Sequence, residues 1–144
     1  MSTEPQSKYF EYKHLVTFDD TNSTGNVYFA RYFQWMGTCR EIITAEHYPE
    51  IVDDIKRGFG FATEFAHIDY HHESFLFDVV LVRMTINSLS RTRLEFGFEF
   101  INQKTSALLA TGKQAVVWVN PQHRPSLMPD KLYDNATEYC ANKS

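Results

Sequence analysis

Phe18-Asp-Asp-Thr-Asn-Ser-Thr-Gly-Asn-Val-Tyr-Phe-Ala-Arg-Tyr-Phe-Gln-Trp-Met-Gly-Thr-Cys-Arg-Glu41 is the stretch whose reading decides the fold. Its first part is dense in Asp, Asn, Ser and Thr and contains one glycine, the composition of tight turns and helix N-caps. Helical spacing then takes over: Phe29, Tyr32, Phe33, Met36 and Ile43 recur at helical intervals. Trp35, Cys39 and Ile42 widen that stripe, so the predicted helix is apolar around much of its circumference and buried. It is expected to begin just beyond Gly25 and to stop at Tyr48-Pro49, because a residue before proline avoids helical angles.

Upstream, residues 9–18 suit a strand leading into the turn. Downstream, residues 50–57 predict a further turn or two of helix closed by Gly58. Four strands are then expected. Residues 59–72 are aromatic and β-branched, and residues 79–86 are apolar on one face. Leu94, Phe96, Phe98 and Phe100 alternate with Arg93, Glu95, Gly97 and Glu99, the pattern of a half-buried strand. Residues 108–119 form the last, and Pro121, Pro125 and Pro129 end the sheet. Long antiparallel strands with one buried helix imply an α+β fold, a five-stranded sheet wrapped around one long central helix. Residues 1–8 read as a flexible tail, 9–129 as the single domain and 130–144 as a C-terminal extension with a short helix.

At 144 residues the chain has the size of one domain, and 43% hydrophobic with 15% aromatic residues builds a core. A net charge of −4 leaves no footprint for nucleic acid, and no basic cluster marks a membrane surface. No apolar run approaches the roughly 20 residues that span a bilayer. Cys39 and Cys140 make no disulfide framework, which fits a reducing compartment. A cytoplasmic protein is the expectation.

Arg40 shares the apolar stripe with Phe33, Met36 and Ile43, and a guanidinium is buried only at the cost of several kcal/mol unless an acceptor meets it. An internal ion pair or a head reaching for solvent is the structural alternative to a site role. Asn22 suits a helix cap, and as a side chain it offers an amide and a carbonyl but takes no proton from water. The helix beyond Gly25 presents free N–H groups and a positive dipole end, suited to a carbonyl oxygen that turns anionic. Gly25 would let a backbone approach closely. His67, His71 and His72 read as rim histidines rather than a metal site, since neighbours on a strand face opposite ways. Cys39 reads as core, Asp19 and Asp20 as turn acids, and Tyr28, Phe29, Tyr32, Phe33 and Trp35 as core, interface or channel wall.

Phe18-Asp19-Asp20-Thr21-Asn22-Ser23-Thr24-Gly25-Asn26-Val27 resembles the Phe-x-Asp-x-Asp-x-x-Gly-x-Val turn of hotdog-fold acyl thioesterases of the hydroxybenzoyl-CoA thioesterase type. Glu73-Ser-Phe-Leu-Phe-Asp78-Val-Val-Leu-Val-Arg83-Met84 resembles that family's entry into its third strand, with Glu73 where the family usually has proline. The family's nucleophile or base aspartate falls on Asn22, and its oxyanion amide falls near Phe29. Asn22 together with Arg40, Gly25-Asn26-Val27-Tyr28-Phe29 and Trp35-x-Gly37-x-Cys39-Arg40-Glu41 resembles the subgroup that accompanies enediyne and other iterative polyketide synthases.

That resemblance implies hydrolysis of an acyl chain, a β-keto polyene, from an acyl carrier protein, without cofactor or metal. Asn22 and Arg40 would hold the thioester, the Phe29 N–H would take the oxyanion, and Gly25, Asn26, Val27, Tyr28 and Tyr32 would surround the substrate. With no carboxylate at position 22, general-base help falls to Glu73, Asp69 or Glu64. The resemblance also implies a homo-oligomer, a dimer of dimers, with sites between subunits. An acyl-CoA thioesterase and a non-catalytic acyl-binding module are the alternatives; a dehydratase fits less well, since His47 sits at the far end of the helix.

Overall fold

The computed structural model describes residues 8–140; the expected tail falls outside these except for Lys8, as do residues 141–144. Five strands form one antiparallel sheet in the order β1-β3-β4-β5-β2: β1 Phe10–Leu15, β2 Gly60–Tyr70, β3 Val79–Leu89, β4 Arg93–Asn102 and β5 Leu108–Val119. Helix α1, Arg31–His47, lies against one face, α2 spans Ile51–Lys56 and α3 spans Asp130–Thr137. This is the α+β layout of a sheet around one long helix. Among the described residues no helix is long and apolar enough to cross a membrane.

Alternation places the core. Val82 pairs with Phe100, Met84 with Phe98 and Ile86 with Phe96, and all six are buried beneath α1. From the helix, Tyr32, Trp35, Met36, Cys39 and Ile43 answer them. Gly112 sits where α1 comes closest: a Cβ there would meet Met36 Sδ at 3.3 Å. Phe33, expected on the core stripe, is exposed instead, because the buried face is centred on Trp35, Met36 and Cys39.

Several boundaries differ from the sequence reading, among them β2, which ends at Tyr70, and β3, which runs on to Leu89. β1 ends at Leu15, and Phe18–Asp20 is a single 3-10 turn whose Asp20 carboxylate accepts the Thr17 N–H at 3.0 Å. Helix α1 begins at Arg31, well beyond Gly25, because the intervening backbone is drawn into extended pairing. Thr21 bridges Val27, Asn26 bridges Phe75, and the Val27 N–H donates to the Ser74 carbonyl at 2.9 Å. Finally, the segment after Pro129 packs into the body of the protein: Leu132, Ala136 and Tyr139 join the core, and the Ile86 N–H donates to the Tyr139 carbonyl at 2.8 Å.

Candidate functional site

The loop before α1 is built as a small hairpin. The Asn22 N–H donates to the Asn26 carbonyl at 2.8 Å, and the Gly25 N–H donates to the Asn22 carbonyl at 2.9 Å. Gly25 has φ +86°, and a Cβ there would meet nothing within 4 Å. The glycine is therefore required for its backbone angle within the chain. Asn22 caps no helix: the N-cap of α1 is Ala30, and the Asn22 side chain has no hydrogen-bond partner among the described residues.

Asn22, Asn26, Val27, Phe29, Tyr32 and Glu73 line one cleft of about 400 Å³. Gly25 stands in the turn behind it, and Tyr28 lies half-exposed, its ring 4.8 Å from that of Phe29. Glu73 is aimed: the Asn26 Nδ2 donates to its Oε1 at 3.2 Å, while the Thr24 hydroxyl donates to Asn26 Oδ1 at 2.5 Å. The other two acids are engaged elsewhere, Glu64 with Arg93 at 2.7 Å and Asp69 with His67 at 3.1 Å.

Two backbone carbonyls in the segment that lines the cleft are pinned. Tyr28 O accepts the Arg31 N–H at 2.9 Å, and Phe29 O accepts the Tyr70 hydroxyl at 2.6 Å. In a trans peptide the N–H points opposite to the C=O. The Phe29 and Ala30 N–H groups therefore face away from those anchors, and neither has a partner among the described residues. With no acid in the first turn of α1, the positive helix end adds to them. The site can receive a carbonyl oxygen that turns anionic.

Tyr70, His71 and His72 complete this cleft. The histidines do not alternate across a strand, because β2 has ended and both N–H groups donate to the Leu109 carbonyl, at 2.8 and 3.1 Å. Among the described residues no cluster of His, Cys, Asp and Glu could hold a metal ion. Tyr70 was missed in the sequence; its only signal there is an aromatic at a strand end. Cys39 is core, its thiol pushed up to about 12 by burial. Asp19 is exposed, 3.8 Å from Arg31 Nη2, while Asp20 is buried beside His14.

Arg40 lies elsewhere. Nine residues along α1, about 13 Å from its start, it lines an open groove of about 410 Å³ with Ile51, Ile55 and Phe61. It also lines a small cavity of about 50 Å³ between α1, the sheet and α3, walled by Ile43, Met84, Phe96, Leu132 and Tyr139. Its Nη1 is buried with no hydrogen-bond partner among the described residues. Burial lowers the guanidinium from its ordinary value, opposed by the charge of Glu41. One chain thus does not bring Asn22 and Arg40 to the same cavity.

Residues 16–136 match the family model of the thioesterase-like superfamily. The fold is similar to that of the dynemicin thioesterase, whose crystal structures revealed induced-fit and allosteric effects upon polyene binding. That likeness has a TM-score of 0.88 at 33% identity, covering 94% of this chain and 100% of that one. It is also similar to a 1,4-dihydroxy-2-naphthoyl-CoA thioesterase from Synechocystis, with a TM-score of 0.82 and 22% identity over 90% of this chain and 96% of that one. A gentisyl-coenzyme A thioesterase gives 0.75 and 22% over 88% and 98%. The last two likenesses show the fold alone. No curated protein matches.

Proposed function

This chain belongs to the thioesterase-like superfamily and is a hotdog-fold thioester hydrolase, and from that premise we propose that it releases a β-keto polyene acid from an acyl carrier protein of an iterative polyketide synthase. The polyene-binding dynemicin thioesterase, at 33% identity, supports the acyl class. Acyl-CoA is the second reading, favoured by the CoA thioesterases among the structural neighbours. Glu73 lines the cleft and, among the described residues, no lysine or arginine does, so little there grips a nucleotide phosphate, which ranks the carrier first.

One observation carries the site. Arg40's groove meets β2 at Gly60 and Phe61, whereas the Asn22 cleft meets its other end at Tyr70. Those ends are about 33 Å apart in one chain. β2 is an edge strand, and residues 62–67 along it are exposed. Two copies pairing antiparallel through this edge bring the start of one β2 beside the end of the other. Arg40 of one copy then faces the Asn22 cleft of the other, and its unpartnered Nη1 gains an acceptor in the thioester. Further pairing of such dimers into a tetramer is part of the same proposal.

The chemistry follows from the cleft. The thioester carbonyl points its oxygen at the Phe29 N–H, and Asn22 and Arg40 hold the acyl group. Glu73 takes a proton from water as the water oxygen bonds to the carbonyl carbon. The tetrahedral oxyanion collapses, the C–S bond breaks, and Glu73 returns the proton to the departing sulfur. The products are a free acid and a free thiol.

The test is hydrolysis of a β-ketoacyl carrier protein and of the matching CoA ester, with Arg40→Ala as control. Release from the carrier that collapses in the variant is expected. Equal rates on both esters favour the CoA reading. Binding without release from either makes the protein an acyl-binding module.

A further inference from the structure

A part-buried polar chain lies between β1 and the turn before the cleft, outside the reaction just described. The Tyr12 hydroxyl meets His14 Nδ1 at 2.8 Å, and His14 Nε2 meets Asp20 Oδ2 at 2.8 Å. The same carboxylate oxygen accepts the Thr17 N–H at 3.0 Å. Asp20 is only 5% exposed, and the imidazole packs on Trp35 with ring centroids 4.5 Å apart. The turn alone does not require this arrangement, since the Thr17 N–H bond already closes it.

We propose that His14 is a positioning residue for the reacting loop, locked by Tyr12 as the Nε2–H tautomer so that its proton is committed to Asp20. A neutral imidazole has one donor and one acceptor. If the Tyr12 O–H donates to Nδ1, the ring proton must sit on Nε2, facing Asp20, and every partner is satisfied. Burial would push the Asp20 carboxyl up, but the His14 bond, the Thr17 N–H and the charge of Arg31 outweigh it and hold it below its ordinary value. Burial also raises the Tyr12 phenol, which keeps its proton available as the donor.

Asp20 transmits that hold through its backbone. Its carbonyl accepts the Tyr28 N–H at 2.9 Å, and the Tyr28 carbonyl in turn accepts the Arg31 N–H at 2.9 Å. The free Phe29 N–H stands between those two bonds. The adjoining Thr21–Val27 bridge closes the hairpin that carries Asn22. Loosening Asp20 therefore moves the oxyanion donor and the Asn22 loop together. A shift of a fraction of an ångström there weakens transition-state contacts more than ground-state binding.

This inference rests on the hydrolytic reading of the Asn22 cleft, and its test separates the two. On a β-ketoacyl carrier substrate, His14→Leu should lower kcat by roughly 10- to 100-fold, the scale of one hydrogen bond to a charged group, with KM within about 2-fold. His14→Gln, whose amide can still donate to Asp20, should recover most of that loss. Tyr12→Phe, which deletes one oxygen, should cost about 3- to 10-fold. Equal losses in the Leu and Gln variants, or an unaltered kcat in Tyr12→Phe, overturn the proposal.

If the wild type cleaves no thioester, the hydrolytic reading fails on its own, and NMR still decides this one. The His14 ring nitrogens should show Nε2 protonated and Nδ1 bare, and the Tyr28 amide should exchange faster in Tyr12→Phe. A protonated Nδ1 in the wild type, or unchanged Tyr28 exchange, overturns it.

Discussion

The Tyr70 hydroxyl donates to the Phe29 carbonyl at 2.6 Å, joining the end of β2 to the peptide that precedes α1. The bond fixes the plane of the Phe29–Ala30 peptide, and the Tyr32 ring buttresses Tyr70 edge-on at 5.3 Å. Tyr70→Phe keeps the ring and removes the bond. We expect kcat to fall about 10-fold, roughly 1.4 kcal/mol, with KM nearly unchanged. Steady-state kinetics check this, and a KM rise at constant kcat would assign Tyr70 to binding instead.

Glu73 is the only one of the three acids considered that lines the cleft. Glu73→Gln should reduce kcat by about 10²- to 10⁴-fold with the fold intact. Asn22→Ala should lose less, because it removes a hydrogen-bonding group rather than the proton acceptor. A Glu73→Gln enzyme at wild-type rate would move the base elsewhere.

Arg40 combines a buried, unpartnered Nη1 with an apolar surround. Arg40→Met should abolish hydrolysis while leaving stability equal or about 1 kcal/mol higher, since removing an uncompensated polar atom from a core is not costly. Thermal melts beside activity assays test the pair. A large fall in Tm would show that Arg40 is held by bonds within its own chain.

Sites shared between copies permit complementation. Arg40→Ala and Glu73→Gln proteins, the latter altered in the Asn22 cleft, should each be nearly inactive alone. Mixed and allowed to exchange, they form hybrids with one intact site, returning activity to about one quarter of wild type. Phe65→Glu, on the exposed stretch of β2, should separate the copies and abolish activity together. Light scattering reads the first effect, and an active monomer would confine the site to one chain.

Asp20 gives a pH dependence of defined sign. Its carboxyl is held below the ordinary value in the folded protein, so unfolding binds a proton as pH falls through the carboxylate range. The stabilisation is complete above that range and is lost as pH drops toward the folded value. Asp20→Asn should therefore be less stable near neutrality and show a shallower acid dependence, measured by urea unfolding across pH.

Much of the fold was legible because alternation in β4 and helical spacing around Met36 and Cys39 are local signals of burial. The start of α1 was not, because residues 26–27 are captured by Thr21 and by Ser74 and Phe75, the last two distant in sequence. The same holds for the site. Asn22, Phe29 and Glu73 became candidates through the resemblance to the thioesterase turn, whereas Tyr70 reaches Phe29 by a bond across 41 residues and the His14 ring packs tilted against Trp35. Arg40 was identified as an oddity on an apolar stripe, but its separation from Asn22 depends on where β2 runs.

Helix α3 and the residues just after it close the cavity beside Arg40 with Leu132, Ala136 and Tyr139, yet several outward ties of this segment are exposed ion pairs. Asp130 meets Arg91 at 2.8 Å, Lys131 meets Glu50 at 2.9 Å, and Glu138 meets Lys8 at 3.2 Å. Pairs of that kind are weak and are screened by salt. Salt therefore loosens the outward ties of this wall, while its inner face stays held by the core and by the Asn135 Nδ2 bond to the His47 carbonyl at 2.9 Å. A different segment from Asp130 onward would reshape that cavity and leave the hairpin of Asn22 untouched, but it would have to replace the Tyr139 carbonyl that accepts the Ile86 N–H of β3.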